Sequence, residues 1–202
     1  MKVIFTVLLL VFATQGIAQE AEKSDLMKPV PVKSGKVAIR PTNTRIDFVG
    51  THEGPEPNPR KGGFAKFMGK AQVAPSDTLQ SIEFAIETAS VWTEIPKLTA
   101  HLKSPDFFDV REHSKASFQS SSIVATDTPG MFDVVGQFTL LGNTKEIKIP
   151  AKVSVTPQGV SLTSEFMIDR TQFGMNYGQG KVANDVSLKV TIGQPTTAGR
   201  QR

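Results

Sequence analysis

Apolar and polar residues alternate over most of the chain, which is the pattern of strands with one buried and one exposed face. Residues 147–155 and 186–192 show it best, with an apolar side chain at every second position. Similar alternation recurs in further segments: 37–40, 44–52, 63–73, 79–93, 116–125, 131–141 and 160–170. The pattern therefore predicts about nine strand segments.

Short turn-forming sequences separate many of these segments: 75–77, 127–130, 142–144 and 157–159. Such connections suit antiparallel neighbours and leave no room for crossover helices. A long antiparallel sheet must stack on itself or close, and closure removes exposed edges. We therefore predict an all-β fold, a single antiparallel up-and-down β-barrel of about eight strands.

One stretch, residues 94–104, breaks the period of two. Apolar residues recur there at helical spacing, and Pro105 ends the pattern: Ile95, Leu98 and Leu102. The sequence predicts a short helical insertion near 94–104, lying across an open end of the barrel. Phe107 and Phe108 follow it and would point into the interior or pack under the helix.

The N-terminus predicts export. Lys2 precedes an apolar run, residues 3–13, that is too short to cross about 30 Å of hydrocarbon, so a cleavable signal peptide over residues 1–18 is expected, without an integral membrane span. Cleavage after Ala18 would place the protein in the periplasm or outside the cell. We expect a flexible leader at 19–36, the barrel domain at 37–193 and a flexible tail at 194–202.

Composition narrows the function classes. The chain has no cysteine, so its stability comes from burial and hydrogen bonding alone. Its formal net charge of +4 is scattered along the strands and does not indicate nucleic-acid binding.

Phenylalanine dominates the aromatic residues, with 13 against one tryptophan and one tyrosine. A packed core would explain many of them, but Gly69, Ala71 and Gly136 share their faces and would leave space inside a barrel. An apolar cavity would favour a long hydrocarbon guest, at about 0.8 kcal/mol for each buried methylene. The candidate lipid-binding residues are Phe48, Phe67, Phe84, Ile86, Leu98, Leu102, Phe107, Phe108, Phe118, Phe138, Phe166, Phe173 and Met175.

Signals for catalysis are weak. The histidines lie in separate segments without zinc-site spacing, and no nucleophile elbow, P-loop or dinucleotide motif is present. We expect no enzyme, no catalytic residue, no metal and no cofactor. The alternative is a small hydrolase or isomerase that acts on an apolar substrate, with His101, Asp106 or His113 as its base. Lys103 and Arg170 are candidate contacts for an anionic head group, or else simple surface cations.

Several sequence blocks, taken in order, resemble the YceI-like family of lipocalin-like, polyisoprenoid-binding proteins. They are LTAHLKSPDFFDV with SFQSSSI, then GQFTLLGNTKEIKIPAKV, then FMIDRTQFGM with NDVSLKVTI. With DFVGTH and GGFAKFMGKAQV, the resemblance covers about Val37 to Ile192. It places the family's DFF at residues 106–108, its R-x-x-F-G at 170–174 and its histidine at His52.

The resemblance implies an exported lipocalin-like barrel that holds an isoprenoid quinone, a prenyl phosphate or a fatty-acid-like lipid, for sequestration or transport. The chain departs from the family at residues 53–62, which look like a longer, Pro-rich turn. A third alternative is a barrel filled by its phenylalanines and used as an interaction or stress-response module. A homodimer is compatible with the pattern but not required by it.

Overall fold

The computed structural model describes residues 28–33 and 35–193. The predicted signal peptide, residues 19–27 of the predicted leader and the predicted tail lie outside the described residues. The described part contains one α-helix, α1 (Pro96–Leu102), and eleven strands: β1 (Lys36–Ile39), β2 (Thr44–His52), β3 (Asn58–Phe64), β4 (Phe67–Val73), β5 (Leu79–Glu87), β6 (Val91–Thr93), β7 (Lys115–Ala125), β8 (Met131–Leu140), β9 (Asn143–Thr156), β10 (Gly159–Asp169) and β11 (Asp185–Ile192).

The strand count is eleven, so the prediction of about eight strands is wrong. Two predicted segments, 63–73 and 79–93, are each interrupted, which gives β3 and β4 and then β5 and β6. The second interruption is a 3-10 turn, Thr88–Ser90. The hydroxyl of Thr88 donates to the carbonyl oxygen of His113 at 2.6 Å, which fixes the buried break. The alternation of apolar and polar residues does not reveal a side-chain hydrogen bond of this kind, so the interruption was not predicted.

The strands form one antiparallel sheet in the order β1-β4-β5-β7-β8-β9-β10-β11-β2-β3-β6. Two backbone hydrogen bonds join the pair β3–β6 to the pair β4–β5. The amide of Ala65 donates to the carbonyl of Ser90, and the amide of Glu87 donates to the carbonyl of Lys66. The sheet is therefore curled and barrel-like, as the sequence predicts. The helical insertion is also confirmed as α1. No helix in residues 28–33 and 35–193 has the length and apolar character needed to span a membrane.

The inward glycines lie directly against phenylalanine residues of neighbouring strands, which corrects the expectation that they leave free space. A Cβ atom added to Gly69 would stand 2.7 Å from the Cβ of Phe84, its direct partner across β4 and β5. A Cβ atom on Gly136 would stand 2.6 Å from the Cζ of Phe118. Phe84 and Phe118 are themselves cross-strand partners and stack with centroids 5.5 Å apart. The small residues therefore let large neighbours pack into the wall.

The end of the predicted leader is anchored on the sheet. The amide of Val30 donates to the carbonyl of Val160, and the amide of Val160 donates back, both at 2.9 Å. Val30 is 7% exposed and belongs to the core. The expectation of a flexible leader is therefore wrong for residues 28–33.

Residues 53–62 do not form one long turn, because β3 begins at Asn58. Pro59 lies opposite Thr51 of β2, whereas β3 pairs with β6 only from Gly62 onward. Proline has no amide hydrogen, so a position that is paired on one side alone tolerates it. The first half of β3 was therefore not predicted, because its Pro-rich sequence is typical of a turn.

Candidate functional site

The curled sheet and α1 line a cavity of about 840 Å³. Typical ligand-binding cavities measure about 300–1,000 Å³. Its wall includes side chains from β2, β3, β5, β7, β8, β9, β10 and β11, together with α1 and the two phenylalanines that follow it. The interior is therefore hollow, and the alternative of a barrel filled by phenylalanine is wrong.

Most of the residues predicted to bind lipid line this cavity: Phe48, Phe84, Ile86, Leu98, Leu102, Phe107, Phe108, Phe118, Phe138, Phe166 and Met175. Phe67 and Phe173 do not, because both are buried within the surrounding core. The ring of Phe173 packs edge-on against that of Phe138, which lines the cavity, with centroids 5.3 Å apart. Lipid contact by the lining residues stays a prediction.

Sequence reasoning missed most of the aliphatic lining. These residues lie on the inward face of their strands: Ile46, Ala116, Leu140, Ile147, Ile149, Ile168, Val186, Leu188 and Val190. The signal was available, since the period of two that predicts β9 and β11 also marks their inward positions. The prediction favoured aromatic residues, whereas both aromatic and aliphatic side chains line the cavity.

Helix α1 places a cluster of rings beside the cavity. Phe107 is buried, and its ring centroid lies 5.0 Å from that of His101 and 5.2 Å from that of Tyr177. Phe108 packs edge-on against Phe64 of β3 at 5.6 Å. The chain turns back after the helix because the amide of Phe108 donates to the carbonyl of Leu102 at 3.0 Å. Both phenylalanines therefore pack beside the helix and line the cavity.

A further part of the wall, residues 177–182, was not predicted. Backbone hydrogen bonds tie this segment to the end of β2: the amide of Glu53 donates to the carbonyl of Lys181, and the amide of Ala183 donates to that of Thr51. The Nδ1 atom of His52 contacts the same carbonyl of Lys181. The sequence NYGQGKVAND has no apolar period, so only the fold brings it to the cavity.

Arg170 is a buried structural residue, 2% exposed, so its interpretation as a surface cation is wrong. Its Nε, Nη1 and Nη2 atoms donate to the carbonyl oxygens of Ala183, Met175 and Val182 at 3.0, 2.5 and 3.0 Å. Burial lowers the pKa of its guanidinium, while the carboxylates of Asp169 and Glu53 act in the opposite direction. Arg170 borders the cavity, but its guanidinium donors are used in these bonds, which hold residues 175–183 in place.

Lys103, the other predicted head-group residue, ends α1 and does not line the cavity. Three cations that the prediction missed do line it: Arg60 on β3, Lys97 on α1 and Lys181. Their charge is visible in the sequence. What the sequence does not show is that three distant segments meet at one cavity.

The acid–base candidates are only partly brought together. The Nε2 atom of His101 contacts Oδ2 of Asp106 at 2.8 Å, and His101 lines the cavity. His113 does not line it, and no serine or cysteine belongs to the lining within the described residues. In the same part of the chain, no group of three or more His, Asp or Glu side chains is arranged to hold a metal ion.

Comparison with curated proteins identifies relatives. A UPF0312 protein of Ectopseudomonas mendocina is 36% identical over 92 residues, 45% of this chain and 48% of that protein. A UPF0312 protein of Pectobacterium atrosepticum is 28% identical over 138 residues, 65% of this chain and 71% of that protein. The matched region spans about half the length of the first of these relatives.

Solved structures share the fold. BcnA of Burkholderia cenocepacia superimposes with a TM-score of 0.66 at 21% identity, over 74% of this chain and 94% of that one. A polyisoprenoid binding domain from Saccharophagus degradans gives a TM-score of 0.60 at 13% identity, over 79% and 97%. The family model described as the YceI-like domain matches residues 38–193 of this chain. Since that range is well over half of the 202 residues, the chain belongs to the YceI-like family.

Proposed function

We propose that this chain is an exported binding protein that holds a long isoprenoid or another lipid chain in its cavity, for sequestration or transport. The observation that carries the proposal is the cavity of about 840 Å³ with a mainly aliphatic and aromatic lining. The predicted signal peptide supports export.

A long apolar chain suits this cavity better than water does. Its volume of about 840 Å³ has room for many water molecules, each of which takes up about 30 Å³ in the liquid. Phenylalanine, leucine, isoleucine and valine side chains offer those waters no hydrogen bonds, so filling the space with water is unfavourable. Each methylene that replaces water contributes about 0.8 kcal/mol before the entropic cost of binding. A ten-carbon stretch would therefore contribute about 8 kcal/mol.

The family supports a lipid as the ligand, and the structural neighbour from Saccharophagus degradans is described as a polyisoprenoid binding domain. That likeness concerns the fold, so isoprenoid binding here is part of the proposal. Three ligand classes fit it: an isoprenoid quinone, a prenyl phosphate or a fatty-acid-like lipid.

An enzyme is the second candidate, favoured by the contact between His101 and Asp106 beside the cavity. Binding is the better-supported function, because a hydrolase also needs a nucleophile or an activated water, and the hydroxyls in the lining are those of Thr51 and Tyr177. Ester hydrolysis that the His101→Gln variant loses, with ligand affinity unchanged, would favour the enzyme.

The test of binding is organic extraction of the purified full chain, followed by mass spectrometry. A long-chain lipid at about one copy per protein supports the proposal. If no lipid is extracted and a fluorescent apolar probe also fails to bind, the binding function is wrong. Cell fractionation and N-terminal sequencing test export separately, with cleavage expected after Ala18.

A further inference from the structure

The side chains that line the cavity carry charge of one sign only. Arg60, Lys97, Arg170 and Lys181 contribute cations, whereas the lining formed by the described residues includes no aspartate or glutamate. The protein as a whole has 23 lysine and arginine residues and 19 acidic ones, so residues of both signs were available to the lining. A lining of this kind is compatible with a ligand that carries negative charge.

Three of these cations come from segments that meet at one end of the sheet. Arg60 lies opposite Gly50 near the end of β2. Lys181 is joined to the same end through the amide of Glu53, which donates to its carbonyl at 2.8 Å. Lys97 lies in the first turn of α1, and that helix reaches residues 177–182 through the ring contact of His101 with Tyr177.

These three cations are not neutralised by ion pairs. Among the described residues, six side-chain pairs bring opposite charges within 4.0 Å, and none includes Arg60, Lys97 or Lys181. The carboxylate of Asp106 contacts His101, and that of Glu53, next to the end of β2, acts on Arg170. Arg60 is half-buried, whereas Lys97 and Lys181 are exposed. The end of the cavity thus offers cationic donors beside an apolar interior.

We propose that Arg60, Lys97 and Lys181 bind an anionic head group, a carboxylate or a phosphate, whose apolar chain fills the cavity. This inference rests on the proposed function and specifies the polar end of its ligand. Arg60 can donate two parallel hydrogen bonds to either group, and the two ammonium groups add attraction. Arg170 is not assigned to this site, because its guanidinium holds the carbonyls of Ala183, Met175 and Val182.

The expected preference is moderate. Ion pairs in contact with solvent are weak singly, so each cation should change affinity by about two- to fivefold. Together they should favour an anionic ligand over its neutral counterpart by about tenfold or more. Salt screens exposed charges, so the preference should shrink at high ionic strength while affinity for the neutral chain changes little.

The experiment compares ligands that share a chain and differ in the head group. Geranylgeranyl phosphate is paired with geranylgeraniol, and palmitic acid with hexadecanol, each displacing a fluorescent apolar probe from the full chain after removal of bound lipid. Tighter binding of an anionic member supports the head-group site, and the pair with the larger preference identifies phosphate or carboxylate. Equal binding within both pairs overturns the site and leaves the proposed function standing. Failure of all four to displace the bound probe also overturns the head-group site, whereas the proposed function falls only if the probe itself does not bind and no lipid is extracted.

Variants locate the site. Lys97→Gln, Lys181→Gln and Arg60→Gln should each reduce the anionic preference while keeping affinity for the neutral chain. Lys103→Gln is the matched control, because Lys103 lies at the other end of the same helix and does not line the cavity. If Lys103→Gln reduces the preference as much as Lys97→Gln does, general surface charge explains the effect and the site is overturned.

Discussion

The ring of Phe118 occupies the space above Gly136, so closely that a Cβ atom on this glycine would stand 2.6 Å from the Cζ of the ring. The same atom would also stand 2.5 Å from the carbonyl oxygen of Gln119 on the adjacent strand. Phe118 lines the cavity and stacks on Phe84. The glycine therefore sets the position of one aromatic part of the cavity wall.

Replacing Gly136 with alanine should destabilise the protein. The added methyl meets both the ring of Phe118 and a backbone oxygen that cannot move independently of its strand, so we expect a loss of about 1–3 kcal/mol in the free energy of unfolding. Chemical denaturation measures this loss. Gly50→Ala is the control, because a Cβ atom there meets nothing within 4 Å. Equal stability of the two variants would contradict the close packing of Phe118.

The features that could be predicted from the sequence are those set by residues close together along the chain. The period of two gave the strands and most of their inward faces, and the spacing of Ile95, Leu98 and Leu102 gave α1. Arg170 escaped prediction because its burial depends on residues 175–183 folding back over it. A single cation after an apolar strand looks the same in the sequence whether it is exposed or buried.

A bulky side chain at Gly50 should block the cavity. Gly50 lies on the inward face of β2 with open space beside its Cα, so Gly50→Phe would direct a ring into the cavity. If the ring displaces at least two chain methylenes, affinity should fall about tenfold or more. Probe binding and the lipid content of the purified variant measure this effect.

Gly50→Ala is again the matched control, because its methyl group is too small to fill the space. Circular dichroism should show the same β-sheet spectrum for both variants. Full lipid content in a folded Gly50→Phe variant would argue that the ligand does not occupy this part of the cavity.

Charged residues in place of Phe107 and Phe108 should release the lipid. Both rings line the cavity, and a carboxylate there would place an unpaired charge beside an apolar chain. We expect the Phe107→Asp/Phe108→Asp double variant to lose its lipid and retain a folded sheet. Extraction with mass spectrometry, together with circular dichroism, measures both outcomes.

Phe107 is 7% exposed, so its replacement also lowers stability, and the single variant Phe108→Asp separates binding from folding. Met68→Asp is the control, because Met68 is 72% exposed and lies outside the cavity. Unchanged lipid content in the folded Phe108→Asp variant would remove this residue from the binding surface.

Arg170 should matter more for stability than any exposed cation. Arg170→Gln shortens the side chain and leaves carbonyls of Met175, Val182 and Ala183 without their donors, so we expect a loss of about 3 kcal/mol or more. Arg45→Gln is the control, since Arg45 makes an exposed pair with Asp47. A difference below about 1 kcal/mol between the two variants in chemical denaturation would contradict the structural role of Arg170.

Asp169 should give the protein a specific sensitivity to acid. Its Oδ1 accepts hydrogen bonds from the hydroxyl and the amide of Thr171 at 2.6 and 2.9 Å, and these bonds lower the pKa of its carboxyl below the ordinary value of 3.8. The resulting stabilisation is present above the unfolded-state pKa and is lost as the pH falls through the folded-state pKa.

Thr171→Val removes the hydroxyl donor and keeps the amide, so the pKa of Asp169 should rise toward 3.8. The variant should be less stable than the wild type at neutral pH, and this difference should shrink once the pH falls below the folded-state pKa of Asp169. NMR titration of the carboxyl carbon measures the pKa, and denaturation at several pH values measures the stability. Thr126→Val is the control, because the exposed hydroxyl of Thr126 donates to the carbonyl of Met131 and takes no part in the bonds to Asp169. An unchanged pKa of Asp169 in Thr171→Val would show that the hydroxyl contributes nothing to the carboxylate.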